Sequence, residues 1–227
     1  MNNKETLLQE FVVISDNGYD VGHRDRFIES YLFIQPYLKE NARILEVGGK
    51  SNFSRFIESK HPTIKVDSTT TDLRYILPIA SEQYDLVLNM EVFEHINVAS
   101  DCDMHEFDNS TVKTFLYECN RVLKPGGVLF LTTPNAHSLL LLNSILTCQP
   151  GMFYRRHVRE YSCDEMIAFV TDAGFKIEQF DTKDVWNCLP REKFTWLFNF
   201  AKSSGCKVDW MREDIFILAK KLCSTNI

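Results

Sequence analysis

Residues 43–49 read Arg-Ile-Leu-Glu-Val-Gly-Gly, a short apolar run that stops at two glycines. The run is too short for a helix and is typical of a buried strand. Ser51 follows as a candidate N-cap, so a helix is predicted next. Glycine at a strand end lets a ligand approach the backbone closely. Glu46, Gly48 and Gly49 are therefore candidate binding residues, and a purely structural tight turn is the alternative.

Two phosphate-binding motifs fail at this turn. Gly49-Lys50-Ser51 ends like a phosphate loop, but Ile44 stands where that loop needs its first glycine. The dinucleotide motif needs glycine at positions 50 and 53, which hold Lys50 and Phe53. Both motifs are excluded.

Outward from this turn, short apolar runs alternate with helical patterns, which predicts one α/β domain over residues 1–227. Residues 1–40 are predicted to be an N-terminal helical segment. Segments 135–161 and 186–212 fit the alternation poorly and are predicted to be a lid or acceptor-pocket insertions. Further strands are predicted at 61–66, 85–90, 128–133, 176–180 and 215–220, with helices near 110–123 and 162–174.

Composition narrows the class of protein. The chain has 227 residues, a formal net charge of −6 and seven cysteines without a CxxC pair. It has no apolar stretch near the roughly 20 residues that span a bilayer, and it does not begin like a secretory signal. A cytoplasmic protein with reduced thiols is expected. The negative net charge disfavours binding of nucleic acid or anionic lipid through a large basic surface, although a local basic patch is allowed.

Taken in order, the motifs resemble the class I S-adenosylmethionine-dependent methyltransferases over roughly residues 25–222. The resemblance implies a Rossmann-like, seven-stranded, mostly parallel sheet with helices on both faces, in which only the last-sequence strand is antiparallel. It also implies S-adenosylmethionine as the cofactor. The motifs are ILEVGG at 44–49, TDL at 71–73, YDLVLNMEVFEHI at 84–96, NRVLKPGGVLFLTTPN at 120–135 and HVREYS at 157–162.

The resemblance assigns cofactor roles beyond the glycine turn. Met90, at a strand end, would contact the methionine part of S-adenosylmethionine. The acidic residue that binds the ribose hydroxyls would be Asp67 or Asp72, and Asp72-Leu73 also matches the segment beside the adenine. Both assignments of the ribose acid stay open.

Glu91, Glu94 and His95 follow a predicted strand, and their spacing predicts one helix face. Three readings compete: structural packing, His95 as a general base, or a site for a divalent metal such as Mg²⁺. Similar EVxEH segments ligate metal in ubiquinone-pathway O-methyltransferases and small-RNA 2′-O-methyltransferases. The resemblance makes His157 the distant histidine of such a site. Glu94, His95 and His157 are thus the candidate catalytic residues.

Two other groups are candidates for acceptor binding. The arginines at 155, 156 and 159 form a basic patch that could clamp an anionic group or could be an ordinary solvated loop. The aromatic residues at 194, 196, 198 and 200 occupy every second position and so do not form a clean helical stripe, and packing against the late strands is favoured over lining an acceptor pocket.

The preferred function is S-adenosylmethionine-dependent O-methylation of a small polar acceptor, such as a sugar or a nucleotide-linked glycan precursor in polysaccharide biosynthesis. This acceptor class rests on the resemblance alone. The alternatives are metal-assisted methylation of an RNA ribose 2′-hydroxyl, which the −6 charge disfavours, and a non-catalytic scaffold with the same fold.

Overall fold

The computed structural model describes residues 4–14, 18–96, 110–149, 156–187, 192 and 195–222. Its helices are α1 (Lys4–Ile14), α2 (Gly18–Ile34), α3 (Asn52–Lys60), α4 (Ser110–Val122), α5 (Leu139–Leu146), α6 (Cys163–Asp172) and α7 (Thr195–Ser203). Its strands are β1 (Arg43–Val47), β2 (Lys65–Thr69), β3 (Tyr84–Met90), β4 (Leu123–Pro134), β5 (Phe175–Lys183) and β6 (Asp214–Lys221).

The strands form one sheet in the order β2-β1-β3-β4-β6-β5. β1 pairs in parallel with β2 and β3, and β3 pairs in parallel with β4. β6 lies between β4 and β5 and is antiparallel to both. The predicted mostly parallel sheet with an antiparallel last strand is therefore confirmed.

The expected strand count of seven is wrong for the described residues, which form six strands. Residues 70–83 are described throughout and connect β2 to β3 by turns and bends without a strand. Leu73 and Leu77 of this connection are buried in the same core as α4, so the segment folds over a helix instead of extending the sheet.

Helices cover both faces of the sheet, as predicted. One core includes Phe115 of α4 and Met166 of α6. The core on the opposite face includes Phe11 of α1, Phe27 of α2 and Phe56 of α3. No helix in the described part of the chain is long and apolar enough to cross a membrane.

Two local predictions are wrong. The helix expected to begin near Glu91 is only a 3₁₀ turn at Phe93–His95, and Glu91 itself has a positive φ of 55°. Of the alternating aromatic residues, Trp196, Phe198 and Phe200 lie in helix α7, which buries Leu197 and Ala201 and leaves Trp196 and Phe200 exposed. Leu197 and Ala201 are four residues apart, so they lie on one face of a helix, and both pack with Leu139 of α5. This packing explains why the segment is helical.

Candidate active site

The glycine turn after β1 has a backbone conformation that favours glycine, and it lies in close contact with Val92. Gly48 and Gly49 have φ values of 88° and 111°, a region that residues with a Cβ rarely adopt. A Cβ on Gly48 would lie 2.7 Å from Cγ2 of Val92. Space and backbone conformation therefore both require glycine at position 48.

Gly48→Ala should lower the free energy of unfolding by at least about 1–2 kcal/mol, because the left-handed backbone is strained and the Val92 contact adds a clash. Urea unfolding measures the loss. In the Val92→Ala background, the same substitution should cost less, since only the backbone strain remains. An equal cost in both backgrounds would contradict the proposed clash.

Glu46 connects the end of β1 to the start of α3 by hydrogen bonds. It is 4% exposed, and its Oε2 accepts hydrogen bonds from the Ser51 amide at 2.8 Å and the Ser54 hydroxyl at 2.6 Å. The Ser51 side chain caps α3, as predicted, by accepting from the Ser54 amide. Glu46 thus fixes the geometry of the glycine turn, and its own contact with a cofactor remains a prediction.

A cavity of about 390 Å³ lies beside this turn. Asp72, Leu73 and Arg74 line it from the β2–β3 connection, and Val92, His95 and Ile96 line it from the segment after β3. Val92 also touches the space above Gly48, so the cavity and the glycine turn are neighbours. The structure therefore brings Asp72, Leu73 and His95 to one site.

Asp67 lies elsewhere. It is inside β2, and its carboxylate is 3.1 Å from Nη2 of Arg43 and 3.2 Å from the Tyr84 hydroxyl. Asp72 is also paired, with Arg74 at 2.6 Å, but both of these residues line the cavity. Between the two candidate ribose acids, the geometry favours Asp72. Met90 ends β3 at the same edge of the sheet, half-buried and packed against the core that contains α2.

Glu94, His95 and His157 come together next to this cavity. Oε1 of Glu94 lies 3.9 Å from Nε2 of both histidines, and the three ligand atoms lie within 4.8 Å of one another. The two imidazole rings meet edge to face with centroids 4.8 Å apart. A backbone hydrogen bond from the Val158 amide to the Glu94 carbonyl, 2.9 Å, joins the two segments. We call these three residues the Glu-His-His cluster.

The surroundings orient the cluster. Nδ1 of His95 is 3.2 Å from the Arg156 carbonyl, and Nδ1 of His157 is 2.9 Å from a carboxylate oxygen of Glu160. In each ring this leaves Nε2 facing Glu94. The Thr133 hydroxyl donates to Oε2 of Glu94, while Oε1 is buried and has no hydrogen-bond partner among the described residues. Such an oriented set fits a divalent cation, and two imidazole ligands favour a transition metal over Mg²⁺.

The electrostatics of the Glu-His-His cluster also favour the binding of a cation. Burial, together with the nearby charge of Glu91, raises the pKa of the Glu94 carboxyl well above its usual range. Burial lowers the pKa of His95, which favours the neutral imidazole that binds metals. An isolated carboxylate in this position would be costly without a cation or a proton.

Glu91 is not part of the cluster, contrary to the predicted four-residue metal site. Its Oε2 lies 3.1 Å from Nη1 of Arg26 in α2, and its Oε1 accepts a hydrogen bond from the Thr132 hydroxyl at 2.8 Å. Arg26 is 2% exposed and also donates to the Tyr19 hydroxyl at 2.8 Å. Arg26 is not among the site residues predicted from the sequence. Its spacing from Ser30 and Phe33, both buried on α2, was the available signal.

The three arginines of the predicted basic patch do not share one environment. Arg155 lies outside the described residues, and Arg156 is exposed. Arg159 is hydrogen-bonded to Glu165 and lies over the Tyr161 ring, 5.0 Å from its centroid. Of the aromatic series, Phe194 lies outside the described residues.

Comparisons with known proteins agree with this architecture. A probable S-adenosylmethionine-dependent methyltransferase of Mycolicibacterium smegmatis is 32% identical over 114 residues, which are 49% of this chain and 35% of the relative. A ubiquinone biosynthesis O-methyltransferase of Parvibaculum lavamentivorans is 27% identical over 45% of this chain and 38% of the relative. The matches thus span little more than a third of these relatives. A solved methyltransferase from Archaeoglobus fulgidus shares the fold, with a TM-score of 0.57 at 15% identity, covering 91% of this chain and all of the other.

The mostly parallel sheet, the glycine turn after β1 and the cavity at the carboxyl ends of the strands are typical of a Rossmann-like α/β protein. Residues 21–179 match the family described as a methyltransferase domain. The chain belongs to this family.

Proposed function

We propose that this chain transfers the methyl group of S-adenosylmethionine to a hydroxyl oxygen of a small polar acceptor, such as a sugar or a nucleotide-linked glycan precursor. The observation that carries the proposal is the position of His95, which lines the cavity beside the glycine turn and also belongs to the Glu-His-His cluster. A cofactor in that cavity would thus lie next to residues able to act on an acceptor hydroxyl.

The cofactor would lie along the edge of the sheet. Val92, which packs on Gly48, lines the cavity, and Asp72 would offer carboxylate oxygens to the ribose hydroxyls. Leu73 and Ile96 give the cavity an apolar lining suited to the adenine ring. S-adenosylmethionine supplies a methyl group that its sulfonium already activates, so the chain has mainly to align the acceptor and exclude water.

An oxygen acceptor must also lose its proton. Glu94, His95 and His157 would hold a divalent cation, which lowers the pKa of a bound hydroxyl. Thr133 and Glu160 would keep Glu94 and His157 in place through their hydrogen bonds. Support for oxygen as the methylated atom also comes from relatives whose name is ubiquinone biosynthesis O-methyltransferase.

Calorimetric titration with S-adenosylmethionine and S-adenosylhomocysteine tests the cofactor site. Asp72→Ala should weaken binding of both by about 10–100-fold, because charged hydrogen bonds to the ribose are lost. Asp67→Ala is the matched control and should bind like the wild type, since Asp67 pairs with Arg43 away from the cavity. Equal effects of the two substitutions would refute the assignment to Asp72. Folded protein that binds neither compound would favour the non-catalytic scaffold.

The Glu-His-His cluster also suits methylation of an RNA ribose hydroxyl, the second candidate. An acceptor screen with radiolabelled cofactor should therefore include hydroxylated sugars, sugar nucleotides and a short oligoribonucleotide. Label in the sugars supports the proposal. Label only in the oligoribonucleotide would replace the proposed acceptor class, and no label in any acceptor would reject both.

A further inference from the structure

The first two turns of α2 lie at the carboxyl edge of the sheet. Asp20 of α2 accepts a hydrogen bond from the side-chain amide of Asn52 at 2.6 Å, and Asn52 begins α3 just after the glycine turn. The carbonyl of Gly22 accepts a hydrogen bond at 3.0 Å from the backbone amide of Asn187, in the segment that follows β5. The first turns of α2 are therefore held between the chain that follows β1 and the chain that follows β5.

Polar contacts lead from these turns to the residues after β3. The Tyr19 hydroxyl accepts a hydrogen bond from Nη2 of Arg26 at 2.8 Å, and Nη1 of Arg26 lies 3.1 Å from Glu91. Glu91 comes directly after β3 and three residues before Glu94 of the Glu-His-His cluster. Burial raises the pKa of Tyr19, Arg26 opposes this rise, and the charge of Glu94 adds to it. The Tyr19 hydroxyl is therefore protonated near pH 7 and lies within electrostatic reach of the cluster.

Tyr19 also belongs to an aromatic wall. The centroid of its ring lies 4.4 Å from that of His23, and the His23 ring meets Trp186 edge to face at 5.9 Å. Trp186 is 7% exposed, whereas Tyr19, at the outer end of the wall, is 55% exposed. We call Tyr19 and His23 the Tyr-His pair. Trp186 supports the pair from the core side, and Tyr19 presents its ring to solvent.

Two polar atoms of the Tyr-His pair lack a complete set of hydrogen bonds. Nδ1 of His23 is buried and has no hydrogen-bond partner among the described residues. Tyr19 accepts from Arg26, but the described residues provide no acceptor for its own hydroxyl hydrogen. Burial, followed by the charge of Arg26, lowers the pKa of His23 to about 4, so its imidazole is neutral near pH 7. The pair thus offers an exposed ring and two neutral polar atoms in one place.

We propose that the Tyr-His pair binds the ring of the methyl acceptor, and that this ring is a sugar. The inference rests on the proposed function and names the part of the site that recognises the acceptor. The exposed ring of Tyr19 would pack on the C–H face of the sugar, and the Tyr19 hydroxyl would donate to a sugar oxygen. A second sugar hydroxyl would reach His23, whose buried Nδ1 is costly without a partner.

Two other roles compete for the Tyr-His pair. Tyr19 could simply cover Arg26, whose guanidinium carbon lies 5.6 Å from the centroid of the Tyr19 ring. That role accounts for the hydroxyl contact but not for the open Nδ1 of His23. An aromatic acceptor could stack on Tyr19 but would leave the polar atoms of the pair unused. A ring with several hydroxyls uses both the ring face and the polar atoms, which favours a sugar.

Saturation-transfer NMR tests the inference on the full chain in the presence of S-adenosylhomocysteine. The probes are methyl α-glucoside, methyl α-mannoside and methyl α-rhamnoside, with catechol as the aromatic comparison. The wild type should bind at least one glycoside. Tyr19→Ala should weaken that binding by at least about tenfold, because a ring contact and a hydrogen bond are both lost. Tyr19→Phe keeps the ring and should weaken it by about three- to fivefold.

The matched control is Tyr117→Ala, which removes a tyrosine of similar exposure (51%) from α4 and should leave glycoside binding unchanged. Calorimetric titration with S-adenosylhomocysteine reports on the cofactor site separately. Tyr19→Ala and Tyr19→Phe should bind this compound like the wild type, which also shows that both variants are folded.

Each other outcome has a distinct meaning. Equal glycoside binding by the wild type and Tyr19→Ala, or no glycoside binding by the wild type, overturns the inference. Binding of catechol alone, lost in Tyr19→Ala, would replace the sugar with an aromatic acceptor. If Tyr19→Phe also loses stability and affinity for S-adenosylhomocysteine, Tyr19 acts by supporting Arg26. A folded wild type that does not bind S-adenosylhomocysteine would reject the proposed function, and glycoside binding measured without that compound would still decide the role of the Tyr-His pair.

Discussion

Glu94→Gln should lower the affinity of the protein for Mn²⁺ or Zn²⁺ by at least about 100-fold, because an amide oxygen is a poor substitute for one of three protein ligands. His157→Gln should have a similar effect, since Nε2 of His157 and Oε1 of Glu94 face each other at 3.9 Å. Calorimetric titration of protein stripped with chelator measures the affinity. Elemental analysis of the purified protein gives the stoichiometry.

Two further variants separate ligation from a general loss of structure. Asp72→Asn makes the same change of carboxylate to amide at the cavity wall and should leave metal affinity unchanged. Glu160→Gln removes the negative partner of Nδ1 of His157 and should weaken metal binding by about tenfold. Glu94→Gln should still bind S-adenosylmethionine, which shows that it is folded.

Metal binding that is equal in the wild type and Glu94→Gln would refute the site. A wild type that binds neither ion would return the Glu-His-His cluster to its other two readings, a general base or structural packing. Activity of His95→Ala in the presence of chelator would then distinguish those two readings.

Much of the fold could be predicted because its signals are local. The apolar run at Arg43–Val47, the Ser51 cap and the Ser162 capping box each specify their element within a few residues, and the structure contains all three. The lack of a seventh strand among the described residues could not be predicted from local pattern. Residues 70–83 bury Leu73 and Leu77 against the α4 side of the sheet, and this choice depends on contacts distant in sequence.

Of the three residues in the Glu-His-His cluster, the local sequence groups only Glu94 and His95, and their role in metal binding stays a prediction. Glu94 and His95 are adjacent, and the family pattern supplied His157, 62 positions beyond His95. Glu91 was wrongly grouped with them because a helix was assumed, whereas its backbone is left-handed and its side chain turns to Arg26. The sequence signal for the buried Arg26 is weak, because it consists only of a charged residue at a core position of α2.

Arg26→Met should destabilise the protein by about 3–5 kcal/mol, because removing one member of a buried ion pair leaves the other uncompensated. The Arg26 side chain is 2% exposed, and that of Glu91 is 8% exposed. Asp214, fully buried on β6, also interacts electrostatically with Arg26. Urea unfolding of the two single variants and of Arg26→Met/Glu91→Gln gives the coupling between them. The double variant should lose less stability than the sum of the single variants.

The loss caused by Arg26→Met should grow as pH rises. Burial and the charge of Glu91 already raise the pKa of Asp214 well above its usual range, and Arg26 is the group that lowers it. Without Arg26 that pKa rises further in the folded state, while the pKa in the unfolded state is unchanged. A carboxyl with a raised folded-state pKa stabilises the fold when protonated and loses that contribution as pH increases. The difference in stability between the variant and the wild type should therefore be smallest at acidic pH, and it should increase as pH rises through the raised folded-state pKa of Asp214. A destabilisation that does not change with pH would show that Arg26 acts through packing and not through its charge.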